Sequence, residues 1–397
     1  MNPDLEKLHP YPFQRLSSLF SGLSPDTEKK HIALSIGEPK HKAPEFVIDT
    51  LNKNMAHLSS YPATAGLPEL RNTIASWLSR RFKLSAFDAN TQVLPVNGTR
   101  EAIFSLTQAV IDRNNSPLVL SPNPFYQIYE GAAYLAGAEP HYLNCLEKND
   151  FIPDFEAVDK KAWQRCQMIF LCSPGNPSGA VMSSDKLARL IELSDQYDFV
   201  IASDECYSEI YQDELEPPTG LLQACAELGR HDYKNCIVFH SLSKRSNLPG
   251  LRSGFVAGDA HIISGFLQYR TYHGCAMPVQ HQMASIKAWS DEQHVTDNRA
   301  LYREKFNAVL DILGSVLDVS KPPAGFYLWP KTPVAGTKFA AGLFQTENVT
   351  VLPGEFLGRT ANGINPGYDR VRIALVAPLN ECVEAAQRIK RYCEAIR

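Results

Sequence analysis

The chain has 397 residues, 44% of them hydrophobic and 21% charged, enough to build a large buried core in two or three compact units. A formal charge of −4, with no dense run of Lys or Arg, excludes nucleic acid as the default partner, because phosphate backbones are bound by concentrated basic surface. No apolar stretch approaches the ~18 residues of a membrane span, and the opening MNPDLEKLHPYPFQRL lacks a charged-then-apolar leader pattern, so the expectation is a cytoplasmic protein with no membrane partner.

Taken from the start, residues 1–30 are rich in proline and polar residues and read as an arm with one short helix. From about 90 to 260, short apolar runs alternate with helical patterns. VLPV (93–96), LVL (118–120), MIFL (168–171), FVIAS (199–203), CIVFH (236–240) and GFVAG (254–258) are bounded by Gly, Pro, Ser or Asn, with helices expected over Arg100–Val110 and Ser184–Tyr197. Continuous apolar strands separated by helices predict a mainly parallel sheet covered on both faces, an α/β architecture. After about 285 a long helical stretch leads into a Pro/Gly-rich region, a strand VRIALV (371–376) and a final helix. In that helix Leu379, Val383, Ala386, Ile389, Cys393 and Ile396 recur at spacings of three and four and predict the buried face. The expected division is 1–45 as arm and part of a small domain, 46–284 as the large domain, and 285–397 as the rest of the small one. The nine cysteines, at 145, 166, 172, 206, 225, 236, 275, 382 and 393, are odd in number and form no Cys-x-x-Cys pair; they read as reduced thiols, with no metal site implied.

Four turn segments carry chemistry. Asn97-Gly-Thr-Arg-Glu-Ala opens a helix after a strand, where free backbone N–H groups and the helix dipole suit a phosphate, although as an isolated helix opening it is unspecific. Ser173-Pro-Gly-Asn-Pro-Ser-Gly is either a plain turn cluster or a rigid mount for the amide of Asn176. Ser203-Asp-Glu-Cys-Tyr puts a carboxylate at a strand end, solvated in the bland reading, or paired with a buried cation in the functional one. Ser241-Leu-Ser-Lys-Arg-Ser-Asn-Leu-Pro-Gly-Leu-Arg-Ser-Gly is a solvated basic loop or, beyond the carboxyl end of a strand, a phosphate site beside a lysine of lowered pKa suited to carbonyl condensation.

The joint order of these segments, with YPATAGLPELR (61–71), PNPFY (122–126) and VRIALV, resembles fold-type I aminotransferases of the class I/II group over essentially the whole chain. The resemblance implies a large domain with a mainly parallel seven-stranded sheet between helices, a smaller α/β domain, and pyridoxal 5'-phosphate as cofactor. It further implies that Lys244 holds the cofactor as a Schiff base and shuttles the proton, that Asp204 pairs with the ring nitrogen, and that Asn176 and Tyr207 contact the ring oxygen. Tyr126 would stack on the ring, while Thr99, Arg100, Ser241, Ser243 and Arg252 hold the phosphate. Arg372 would grip the substrate α-carboxylate with help from Asn176 and the backbone of Gly37. Tyr61 would reach the phosphate of a neighbouring subunit, implying a homodimer with shared sites.

The segments 36–44 and 363–376 are similar to those of N-succinyldiaminopimelate aminotransferases of lysine biosynthesis, implying glutamate and 2-oxoglutarate as one substrate pair. Lys40, His41, Arg15 and Asn365 are candidates for the additional carboxylates of such a substrate. An aspartate or aromatic aminotransferase, or a β-lyase acting on cystathionine, shares nearly all these residues. A non-enzymatic regulator would need a further DNA-binding module, for which the chain leaves no room.

Overall fold

The computed structural model describes residues 1–396 apart from Ala86. Its centre is a sheet of seven strands: β1 (Val93–Val96), β2 (Leu118–Asn123), β3 (Glu139–Asn144), β4 (Cys166–Cys172), β5 (Val200–Asp204), β6 (Cys236–Ser241) and β7 (Gly254–Gly258). The spatial order is β1-β7-β6-β5-β4-β2-β3. All neighbours run parallel except β7, which is antiparallel to both β1 and β6. Reversing β7 puts its first residues beside the last residues of β1 and β6, so Arg252 enters the same end of the sheet as the parallel strand ends.

The central strands are buried along their whole length because helices cover both faces, which is why their sequences are continuously apolar. One packing centre gathers Trp77, Phe255 and Trp289 on one face, and another gathers Phe125, Tyr129 and Phe170 on the other. Strand β3, Glu-Pro-His-Tyr-Leu-Asn, escapes the sequence pattern because it is an edge strand, mostly half-buried and with a proline at its second position.

A further core joins Ile32 and Leu34 to Phe306, Leu328, Val349 and Ile373. Ile32–Ala33 pairs in parallel with Val349–Thr350, and Val371–Ala374 lies antiparallel between Leu352–Pro353 and Tyr327–Leu328. The arm holds the helix Pro12–Phe20, preceded by a 3₁₀ turn at Pro3–Lys7. The helix Leu379–Ala395 forms as its periodicity predicts, but its buried face is turned from the expected one. Cys382, Ala385, Ala386, Ile389, Tyr392 and Cys393 are buried, while Leu379, Val383 and Ile396 are only partly covered. Small side chains at 382 and 385 let this helix sit against Gln293–Leu313, and that contact, rather than the count of large apolar residues, sets the face. Among the described residues no helix is long and apolar enough to cross a membrane.

Phe239 on β6 is 0% exposed and packs in the second of the two sheet-facing cores. Phe239→Ala is expected to cost about 3–5 kcal/mol of stability, read by urea denaturation; a loss below ~1 kcal/mol would contradict a well-packed centre there.

Candidate active site

A cleft of about 590 Å³ opens where the carboxyl ends of β1, β4, β5 and β6 meet the start of β7, under the arm and the strand bearing Arg372. Every residue expected from the sequence to serve the cofactor or the α-carboxylate lines it except Tyr61, which is fully exposed in the single chain.

Lys244 sits on a helix of four residues, Leu242–Arg245, whose first turn is tied by the Ser241 hydroxyl accepting from the Ser243 N–H at 3.0 Å. Its Nζ donates to the carbonyl of Gly37 at 2.5 Å and lies 5.5 Å from the centre of the Phe326 ring. Burial, helped by the Arg372 cation, lowers its pKa from 10.5 to about 8. A minor but real uncharged fraction therefore exists near neutral pH.

Asp204 ends β5, 6% exposed. The Tyr129 hydroxyl donates to Oδ2 at 2.8 Å and the Cys206 N–H donates to Oδ1 at 3.2 Å. Those donors favour the charged form, yet burial outweighs them and raises the pKa above the ordinary Asp value. Such a carboxyl is set to receive a cation. Cys206, whose thiol approaches the Thr99 hydroxyl at 3.2 Å, is pushed up by burial and stays neutral.

Arg372 is 4% exposed. Its Nη1 donates to Asn176 Oδ1 at 2.9 Å and Nη2 to the Ser35 carbonyl at 2.7 Å, while the guanidinium lies 4.5 Å over the Tyr327 ring. Nε is buried with no hydrogen-bond partner among the described residues, an open donor in a site that lacks an anion for this cation. Tyr207 and Tyr327 join hydroxyls at 3.0 Å, and a Cβ on Gly37 would stand 1.9 Å from the Tyr327 hydroxyl, so glycine lets the loop pass.

Arg252, at φ 54°, donates through Nη1 to the Pro249 carbonyl at 2.9 Å. A Cβ on Gly98, whose φ is +86°, would meet Arg252 Nη2 at 2.2 Å. The glycine thus keeps open a cradle formed by Arg252, the hydroxyls of Thr99, Ser241 and Ser243, and the first N–H groups of the helix Thr99–Val110. This donor set fits a phosphate. Arg100 stands at the same helix start, but its guanidinium turns from the cradle to two phenols that line the cleft: Nε donates to the Tyr126 hydroxyl at 2.5 Å and Nη2 reaches the Tyr11 hydroxyl at 3.5 Å.

Lys40, His41, Arg15 and Asn365 do not line the cleft. After Glu38 the loop turns away to pack on Gln293–Leu313, so His41 meets Asn298 and Lys305 at 2.8 and 2.6 Å. Arg15 covers the Phe356 ring at 4.2 Å, and Asn365 accepts from the Gly367 N–H in a turn. Tyr11, Glu38, Gln127, Tyr129 and Tyr327 line the cleft without having been expected there. Tyr129 had a weak signal, a second phenol three residues after Tyr126, in the first turn of the helix Ile128–Ala136 that Tyr126 precedes. Tyr327 had a weaker one, a hydroxyl inside an otherwise apolar Phe-Tyr-Leu-Trp run.

A profile of the family described as aminotransferase class I and II matches residues 29–389. An LL-diaminopimelate aminotransferase from Maridesulfovibrio salexigens is 31% identical over 366 residues, 91% of each chain. A crystal structure of an aminotransferase from Neisseria meningitidis superposes with a TM-score of 0.95 at 51% identity, covering 98% of this chain and 99% of that one. A probable N-succinyldiaminopimelate aminotransferase from Thermus thermophilus gives 0.84 at 25% identity, covering 96% and 100%.

The raised pKa of Asp204 has a consequence for stability. A carboxyl that holds its proton more tightly when folded costs stability once pH exceeds its unfolded value, and the cost is complete above the folded value. Asp204→Asn should therefore raise the melting temperature of the ligand-free protein at neutral pH, with the gain shrinking as pH falls toward 3.8. A lower melting temperature at neutral pH would contradict this.

Proposed function

This chain belongs to the class I and II aminotransferase family and works with pyridoxal phosphate, and on that premise we propose that it transfers an amino group between N-succinyl-LL-2,6-diaminopimelate and 2-oxoglutarate. The observation that carries the transferase chemistry is the meeting of Lys244, Asp204, Arg252 and Arg372 in one cleft. The chemistry supplied by the cofactor when bound is an electron sink for the pair left at the substrate α-carbon when its proton departs. Lys244, part of it uncharged near neutral pH, would take that proton on Nζ and deliver it to the carbon on the other side of the transferred nitrogen. Arg372 holds the α-carboxylate through the edge left open at Nε, with Asn176 fixing the guanidinium plane, so that the Cα–H bond is presented to the lysine. Asp204 would pair with the ring nitrogen and favour its protonated form, a cation that in turn favours the charged carboxylate. Thr99, Ser241, Ser243 and Arg252 would hold the phosphate, Tyr126 would pack on the ring, and Tyr207 with Asn176 would serve the ring oxygen.

Arg100 supports the substrate class. It lines the cleft, makes no ion pair among the described residues, and meets two phenols, whose own hydroxyl protons stay free to donate. A fourth cation beyond those for phosphate, α-carboxylate and proton transfer suits a carboxylate remote from the reacting carbon, as in glutamate and in the succinylated amino acid. The names of the Maridesulfovibrio and Thermus relatives point to the same carbon skeleton. Glu38 favours a second reading, since a carboxylate on the cleft wall suits the free ammonium of unmodified LL-diaminopimelate.

We further propose a homodimer in which Tyr61 completes the neighbour's phosphate site. Its support is the exposure of Tyr61, Tyr272 and Leu58, at 103%, 88% and 66%.

Single-turnover reaction of the loaded protein with each amino acid in turn names the substrate. Glutamate and N-succinyl-LL-diaminopimelate are expected to convert and free LL-diaminopimelate not to; the reverse preference would select the second reading, with Glu38→Gln then abolishing it. Arg100→Met should lower kcat/KM for the dicarboxylic substrates about 10- to 100-fold, the loss of a charge-assisted hydrogen bond, while alanine turnover changes little.

A further inference from the structure

Behind the cleft a chain of side chains links Lys305 to the main chain of Lys244, and none of the roles above uses it. Lys305, on the long helix Gln293–Leu313, is 2% exposed and places Nζ 2.6 Å from His41 Nε2 and 3.4 Å from the Val376 carbonyl. An ammonium only donates, so Nε2 must accept, and the ring proton is left on Nδ1. That nitrogen lies 2.8 Å from Asn298 Oδ1, which also accepts from Asn247 Nδ2 at 2.8 Å. With its oxygen so occupied, Asn298 points Nδ2 at the carbonyls of Lys244 and Arg245, each at 3.4 Å. One polarity runs through the chain, and Lys305 sets it.

The chain closes on itself. Lys244 Nζ donates to Gly37, and Gly37 lies four residues before His41 in the same loop. The circuit therefore runs from the lysine amine through the loop to His41, through Asn298 to the lysine carbonyl, and so back along the Lys244 residue itself. An aromatic route runs beside it: His41 packs 4.7 Å from Tyr302, Tyr302 stacks on Phe326 at 5.4 Å, and Phe326 lies beneath the amine.

We propose that His41, Asn298 and Lys305 are positioning residues that register the Lys244 amine against the loop at Gly37 by holding both ends of that circuit. This rests on Lys244 being the reacting amine and adds a determinant outside the cleft. A network that merely stabilised the fold would not need to engage the main chain of Lys244 and the loop that accepts from its side chain at the same time. A displacement of the amine by even a fraction of a bond length is costly for proton transfer.

The test compares His41→Phe, which keeps a ring against Tyr302 but removes both nitrogens, and Lys305→Met, which keeps the stem but removes the donor. In loaded protein both are expected to lower kcat about 10- to 100-fold with little change in KM, and to shift the pH midpoint of the visible absorption band. In cofactor-free protein, hydrogen exchange of amides 36–41 and 242–246 should quicken in both variants. Unchanged kcat, band midpoint and exchange in either folded variant would overturn the proposal, as would a lowered melting temperature as the sole effect. Borohydride reduction of the parent separates the two claims: a pyridoxyl tag away from position 244 sinks the premise, whereas a tag there with unaltered variants sinks the relay alone.

Discussion

Lys244 reaches the cleft from a helix of four residues, and its amine sits where burial brings the pKa down to about 8. Every other feature of the site answers to that desolvated amine. The parallel strands bring their carboxyl ends to one edge, so β4, β5 and β6 deliver Asn176, Asp204 and Lys244 within one cleft although they are scattered along the chain. The reversed β7 adds Arg252 from the opposite chain direction. The cleft's surplus of cations, Lys244, Arg252, Arg372 and Arg100 against Asp204 and Glu38, matches a phosphate and carboxylates as its occupants.

The ground beneath the lysine is made rigid by buried charge. Glu209, 4% exposed, is pushed up by burial, but Arg81, Arg245 and Arg299 together pull its pKa below the ordinary Glu value. Arg81 pairs with it at 2.8 Å, and Arg299 from the long helix donates to its main-chain carbonyl at 2.9 Å. Arg245, the residue after the lysine, is 2% exposed and reaches Glu292 at 2.6 Å and the Ala288 carbonyl at 2.8 Å. Removing one partner from such a network leaves another charge stranded, so the four-residue helix has little freedom to move. The long helix that supplies Arg299 to this network also carries Asn298 and Lys305.

The sheet was readable where burial on both faces made the strands uniformly apolar, as in CIVFH and FVIAS, and unreadable at the edge strand Glu139–Asn144. The site was readable because its residues follow strand ends, and strand ends of a parallel sheet converge whatever lies between them. Side-chain direction was not readable. Nothing local tells that Arg100 reaches Tyr11, that His41 faces Lys305 rather than the cleft, or that Tyr327 slides against Gly37, since each depends on an element more than eighty residues distant. The final helix shows the same limit, its periodicity marking a helix while its neighbour chose the buried side.

Treating the purified, cofactor-loaded protein with borohydride and mapping its peptides tests the central claim most directly. The account predicts a single pyridoxyl-modified residue at Lys244, lost in Lys244→Ala. Modification of another lysine, or protein that binds no pyridoxal phosphate at all, would contradict it.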